Sequence, residues 1–124
     1  MDGANHIVQY LQSMYVTMKL YHWSTRSYAR HMATDDFITD MLKTTDKLVE
    51  TYMGRYSRPE YPKGFSLHVK QLDDTAAVEE LREYGKWLKK DFTTYLKPSD
   101  TDLLTLRDEL LQNLHQTLYR YSLQ

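Results

Sequence analysis

Apolar residues recur at helical spacing in four blocks of the chain. Over residues 5–23, Ile7, Leu11, Met14, Met18 and His22 follow one another at intervals of 4, 3, 4 and 4, the rhythm of a helix that buries one face. Asn5 is the predicted N-cap, and His22 continues the buried stripe. The polar cluster Ser24-Thr25-Arg26-Ser27 predicts a short turn and the cap of a second helix. That helix runs to about Tyr56, where Gly54 and then Pro59 supply stop signals. A turn this short makes the first two helices an antiparallel hairpin. Residues 58–73, with Pro59, Pro62 and Gly64, have no helical period and read as a connection. Asp73-Asp74-Thr75 then caps a third helix with the stripe Val78, Leu81, Gly85, Leu88, Phe92 and Tyr95. Lys97-Pro98-Ser99-Asp100 is a stop and a restart, with Ser99 and Asp102 spaced as a capping box. The fourth helix carries Leu103, Leu106, Leu110, Leu114, Leu118 and Tyr121.

Two helical hairpins joined by one long connection constrain the topology. The second helix is about 40 Å long, and some 16 connecting residues span on the order of 50 Å when extended. The connection can therefore run the length of the helices. The expectation is an all-α fold, one domain over residues 1–124, in which four helices form a bundle with one long crossover between the second and third. That is the ferritin-like arrangement, as opposed to an up-down-up-down bundle with three short loops.

Composition narrows the functional classes. A chain of 124 residues buries a core without disulfides or a structural metal. The formal charge of -1 recommends neither nucleic acid nor an anionic membrane as partner. The absence of cysteine removes disulfides and thiolate metal sites. Residues 1–6 carry no basic start followed by an apolar run, so no secretory leader is expected. No apolar stretch approaches the roughly 20 residues of a spanning helix, and a cytoplasmic setting is the expectation. The 11 tyrosines fit amphipathic helix faces whose rings reach from core to rim.

The candidate chemistry lies on the second helix. At about 100° per residue, His31, Asp35, Asp46 and Glu50 fall within roughly a quarter turn, and His22 lies just upstream. Imidazole and carboxylate together suit iron, zinc or manganese. His31 and Asp35 form one i, i+4 pair and Asp46 and Glu50 another, but the pairs stand about 22 Å apart along the axis. One helix cannot bring both to the same ion. Two copies packed antiparallel about a two-fold axis can, which predicts a homodimer through the second helix with two equivalent sites. A site inside one subunit would need the Glu and Glu-x-x-His pattern of di-iron carboxylate bundles, which the chain lacks. His6, His68 and His115 read as structural or surface histidines.

Tyr21-His22-Trp23, His31-x-x-x-Asp35 and Asp46-x-x-x-Glu50, with eleven positions from Asp35 to Asp46, resemble the Dps-like mini-ferritins. The resemblance covers the first two helices. It implies an intersubunit ferroxidase site for a non-haem di-iron centre, with His22, His31 and Asp35 from one subunit and Asp46 and Glu50 from its mate. Trp23 is then the nearby aromatic that supplies an electron. Fe(II) would be oxidised by peroxide or dioxygen, a role in oxidative stress, with larger homo-oligomers possible. The chain departs from the family in a shorter His22-to-His31 spacing, in a connection with little room for an extra helix, and in lacking the lysine-rich tail associated with DNA binding, so no DNA partner is expected. A ferritin-like scaffold with a structural or interaction role and no iron oxidation is the alternative, and a structural zinc site a third.

Overall fold

In the computed structural model, which describes residues 3–123, four helices and one 3-10 turn follow one another without any strand among the described residues. The first two residues and the last, including Met1 and Asp2 of the segment read above for a leader, lie outside them. The elements are α1 (Ala4–Ser24), α2 (Tyr28–Arg55), α3 (Asp74–Lys89), the 3-10 turn Phe92–Tyr95 and α4 (Thr101–Tyr121). Among the described residues no helix is long and apolar enough to cross a membrane.

The apolar stripes become the core. Ile7, Leu11, Met14, Met18 and Tyr21 of α1 meet Phe37, Met41, Leu48 and Tyr52 of α2, with Leu81, Tyr84, Leu88, Leu103, Leu110 and Leu114 closing the other half. Each large side chain buried in this way contributes about 1.5–3 kcal/mol. At Gly85 a Cβ would come within 2.9 Å of the Leu114 Cδ2, so a side chain there would require the Leu114 methyl to move.

Helix ends are held as their local sequence dictates, with two exceptions. The Ser27 hydroxyl accepts from the Arg30 amide at 3.2 Å and starts α2, and the Asp73 carboxylate accepts from the Ala76 amide at 2.7 Å and starts α3. Asn5, however, is not the N-cap of α1. Gly3 occupies that position, and the Asn5 side chain instead exchanges two hydrogen bonds with the backbone of Glu60, at 2.9 and 2.8 Å. Ser99 likewise forms no capping box. Asp100 sits at the N-cap of α4 without a capping bond, because its carboxylate accepts from the Lys97 amide at 2.9 Å and from the Tyr56 hydroxyl. A tertiary partner outcompetes the local cap in both places.

The directions of the helices follow from which ends meet. Helix α1 ends beside the start of α3, where the Tyr21 hydroxyl donates to Asp74 Oδ1 at 2.7 Å. It begins beside the end of α3, where Tyr10 stacks on Trp87 at 3.9 Å. Helix α2 ends at the start of α4, through Arg55 and Asp102 at 2.9 Å, and begins at the end of α4, through Arg120 and Asp36 at 2.8 Å. Helices α1 and α3 are thus antiparallel, as are α2 and α4. With α1 antiparallel to α2 across a short turn, α2 and α3 run parallel, and the chain must travel back the full length of the helices between them.

It does so along α1. The Gln9 amide donates to the Ser66 carbonyl at 2.7 Å, the His68 amide to the Ser13 hydroxyl at 2.9 Å, and the Lys70 amide to the Thr17 hydroxyl at 3.2 Å. Four helical residues rise about 6.0 Å and two extended residues about 6.6 Å, so a polar residue at every fourth helical position meets every second residue of an extended strand. Gln9, Ser13 and Thr17 form that rail, and Asn5, one turn earlier, holds Glu60 ahead of the turn at residues 61–64. Thr17→Val leaves the Lys70 amide without its acceptor and should lower stability by about 1 kcal/mol, read as a reduced midpoint in urea with an unchanged slope; Ser13→Ala should do the same at His68.

Candidate metal centre

The three-residue turn between α1 and α2 brings His22 and His31 face to face. Their rings stack with centroids 3.9 Å apart and planes 14° from parallel. Each ring also bonds the other's backbone: His22 Nδ1 lies 2.8 Å from the His31 carbonyl and His31 Nδ1 lies 2.8 Å from the His22 carbonyl. A carbonyl only accepts, so both Nδ1 atoms carry the hydrogen. In the neutral rings both Nε2 atoms are then left with the lone pair, the tautomer that a metal ligand requires and that such outer hydrogen bonds ordinarily set. His22 is buried and lies on the core stripe of α1. Its Nε2 stands 3.9 Å from Asp35 Oδ1, one helical turn along α2 from His31. The tight turn and the His31-x-x-x-Asp35 spacing place His22, His31 and Asp35 at one end of α2 without the three converging on a common ion position.

Asp46 and Glu50, the other two predicted ligands, are both exposed on the outward face of α2. Asp46 raises the Glu50 carboxyl above its ordinary range, first by a side-chain hydrogen bond and then by charge repulsion. Two acids crowded at i, i+4 relieve that repulsion by sharing a proton or by taking a cation. Within one chain the two groups remain apart, and among the described residues no three histidine or acidic side chains converge on a common ion position. Trp23, next to His22, is 67% exposed with the Lys19 ammonium 5.4 Å from its ring centroid. Nearby on α2, Tyr28, Met32 and Leu42 are also exposed, so the predicted ligands share their face with apolar side chains.

The interior offers no competing carboxylate site. Asp100 is the buried acid among the described residues, and Tyr56, the Lys97 amide and Arg55 at 3.4 Å already engage it. A cavity of about 540 Å³ opens between α1, the crossover and α3, floored by Tyr10 and Trp87, and none of the predicted ligands lines it. His6 stacks on Tyr95, in keeping with a packing role.

Sequence patterning overlooked the cluster that anchors the histidine turn. Asp74 accepts from Tyr21 and, at 2.9 Å, from the Thr25 hydroxyl. Arg30 donates to the Tyr21 hydroxyl and to the Asp74 carbonyl, both at 3.0 Å, and its guanidinium lies 4.3 Å from the Tyr121 ring centroid. The available signal was Arg30 and Tyr21 flanking the two histidines, but their partner Asp74 is 53 residues from Tyr21.

An all-helical chain of four helices, carrying a paired-imidazole and carboxylate face on its second helix, is the class that this geometry defines. Residues 22–121 match the family of unknown function DUF5856, and the chain belongs to that family; all five predicted ligands and Trp23 fall within the matched span. No curated protein and no solved structure matches the chain.

The Tyr21 hydrogen bond, then that of Thr25 and the charge of Arg30, lower the Asp74 carboxyl below its usual range. A lowered folded-state value contributes stability in full above the unfolded value of about 3.9 and loses it as pH falls through the folded one. Asp74→Asn should therefore be less stable than the parent near neutral pH, with the difference shrinking below about pH 4, as measured by denaturant unfolding at a series of pH values.

Proposed function

We propose that this chain is a ferritin-like iron-handling protein of the Dps type, which oxidises Fe(II) with peroxide or dioxygen at a site shared between two copies. The observation that carries the reading is the reciprocal His22–His31 clasp. It orients both imidazole rings through backbone acceptors and sets the His22 Nε2 3.9 Å from Asp35 Oδ1, an arrangement that packing alone does not demand. The helix order also supports it: α1 packs on α2, α2 on α4, α4 on α3 and α3 on α1, with α2 and α3 parallel and joined by a long crossover, as the ferritin-like topology requires.

In this reading Fe(II) is the substrate, and His22, His31 and Asp35 of one copy face Asp46 and Glu50 of the other across an isologous α2 contact. The exposed Met32 and Leu42 supply apolar area for that contact. The acids neutralise the incoming cation charge and the imidazoles complete a nitrogen and oxygen donor set suited to iron. Two Fe(II) each give up one electron, the peroxide O–O bond accepts both and breaks, and two protons from solvent complete two waters. Trp23, at the rim, is the reserve one-electron donor when a single Fe(II) is present. A cytoplasmic setting and assemblies beyond the dimer belong to the same reading.

Anaerobic Fe(II) loading followed by peroxide addition tests it. Asp46→Asn with Glu50→Gln should slow Fe(II) oxidation by roughly 100-fold and leave the helical content unchanged. Mixing that variant with His31→Ala should restore activity, because each mixed dimer holds one intact site. Normal assembly without turnover in the parent chain would favour the scaffold alternative, and turnover without complementation would place the whole site in one subunit.

A further inference from the structure

The crossover presents an unused strand edge. Gly64, with φ of +74° and its amide donating to the Tyr61 carbonyl at 2.8 Å, turns the chain into the extended run that follows. Along an extended backbone the amide and carbonyl of successive residues point to opposite sides. The Ser66 carbonyl and the His68 and Lys70 amides are turned toward α1 and satisfied there. The backbone groups of Phe65, Leu67 and Val69 therefore point away from α1, where the described residues offer them no hydrogen-bond partner. The same three residues are exposed large apolar side chains, at 43%, 38% and 40%, and alternate positions place them on one side of the strand. A row of unpaired backbone groups beside a row of apolar side chains is a template for strand addition.

We infer that a second copy of this chain occupies this edge, antiparallel and centred on Leu67, so that the two crossovers form a two-stranded ladder across a two-fold axis. The sequence is self-complementary in that register. Leu67 faces Leu67 of the second copy, and Phe65 faces its Val69 on both sides of the axis, an aromatic and β-branched pairing of the kind that stabilises antiparallel strands. The flanking charges do not collide: Gly64 falls opposite Lys70, whose ammonium is held by Glu80 at 2.9 Å, and Lys63 falls opposite Gln71. Each of the three facing pairs exchanges two backbone hydrogen bonds. A ladder this short is marginal on its own, so the contact is concentration-dependent. It is independent of the iron reading and distinct from the α2 contact. A chain with two different isologous contacts builds assemblies larger than a dimer.

Cysteine scanning tests the contact in the otherwise cysteine-free full-length chain. Facing residues of a hydrogen-bonded antiparallel pair lie about 5.5 Å apart at Cα, within disulfide range, whereas the two copies of residue 69 are offset by about 14 Å. Under mild oxidation Leu67→Cys should form a covalent dimer on the order of ten times faster than Val69→Cys. An equimolar mixture of Phe65→Cys and Val69→Cys should yield the mixed dimer in excess of either homodimer. The substituted positions are exposed, so circular dichroism should match the parent. Leu67→Cys linking no faster than Val69→Cys, or mixed dimers at only the statistical proportion, would overturn the inference.

Discussion

The parallel course of α2 and α3 is the constraint on which the rest of this molecule depends. Hairpins α1–α2 and α3–α4 can close locally, but joining them with α2 and α3 parallel obliges the chain to return along the helices in an extended segment with no ladder of its own. Its inward backbone groups must find partners. They find them on Gln9, Ser13 and Thr17, part of a stripe of short polar side chains on a helix otherwise given to the core. Because four helical residues and two extended ones cover nearly the same distance, the match repeats instead of drifting out of step. One consequence is that the other side of the same strand is left without partners among the described residues.

The second consequence concerns the turn at the opposite end. Where the crossover delivers the chain to α3, Asp74 meets Tyr21, Thr25 and Arg30, and the segment between α1 and α2 is held from both flanks. Within that frame His22 and His31 stack and bond each other's carbonyls. Their tautomers are set by backbone acceptors, so the orientation of both rings is a property of the fold and precedes any ligand. Asp35 lies one turn further along α2, and Asp46 and Glu50, which the proposed reading assigns to a second copy, lie too far along the same helix to reach it.

The outward face of α2 carries two kinds of residue that seldom mix without a reason. Acids and imidazole alternate with Met32 and Leu42, and Trp23 and Tyr28 stand exposed beside them. A purely solvated helix face has no use for the apolar members, and a purely apolar contact has no use for the acids. In the proposed reading, a contact between copies that also encloses a cation accounts for both. Among the described residues the interior, by comparison, holds one buried carboxylate, Asp100, bonded by Tyr56 and Arg55 at the end of α2 and by the Lys97 amide just before α4.

By itself the sequence determined four helices, the short first turn, the long connection and the stripe His31, Asp35, Asp46 and Glu50, because these depend on spacing within one element and on local stop and cap signals. The burial of His22 was legible for the same reason: it continues the apolar rhythm of α1. Tertiary structure decided what Asn5 and Asp100 do. Each has a side chain able to cap its own helix, and each bonds a distant segment instead, since a long-range partner competes for the same few lone pairs. It also decided the ring stacking, the anchoring by Asp74 and the polar rail, all of which join residues tens of positions apart. Periodicity reveals which face of a helix is polar; only the assembled fold reveals that a polar face is a docking rail, because the strand it holds has no periodic signature of its own.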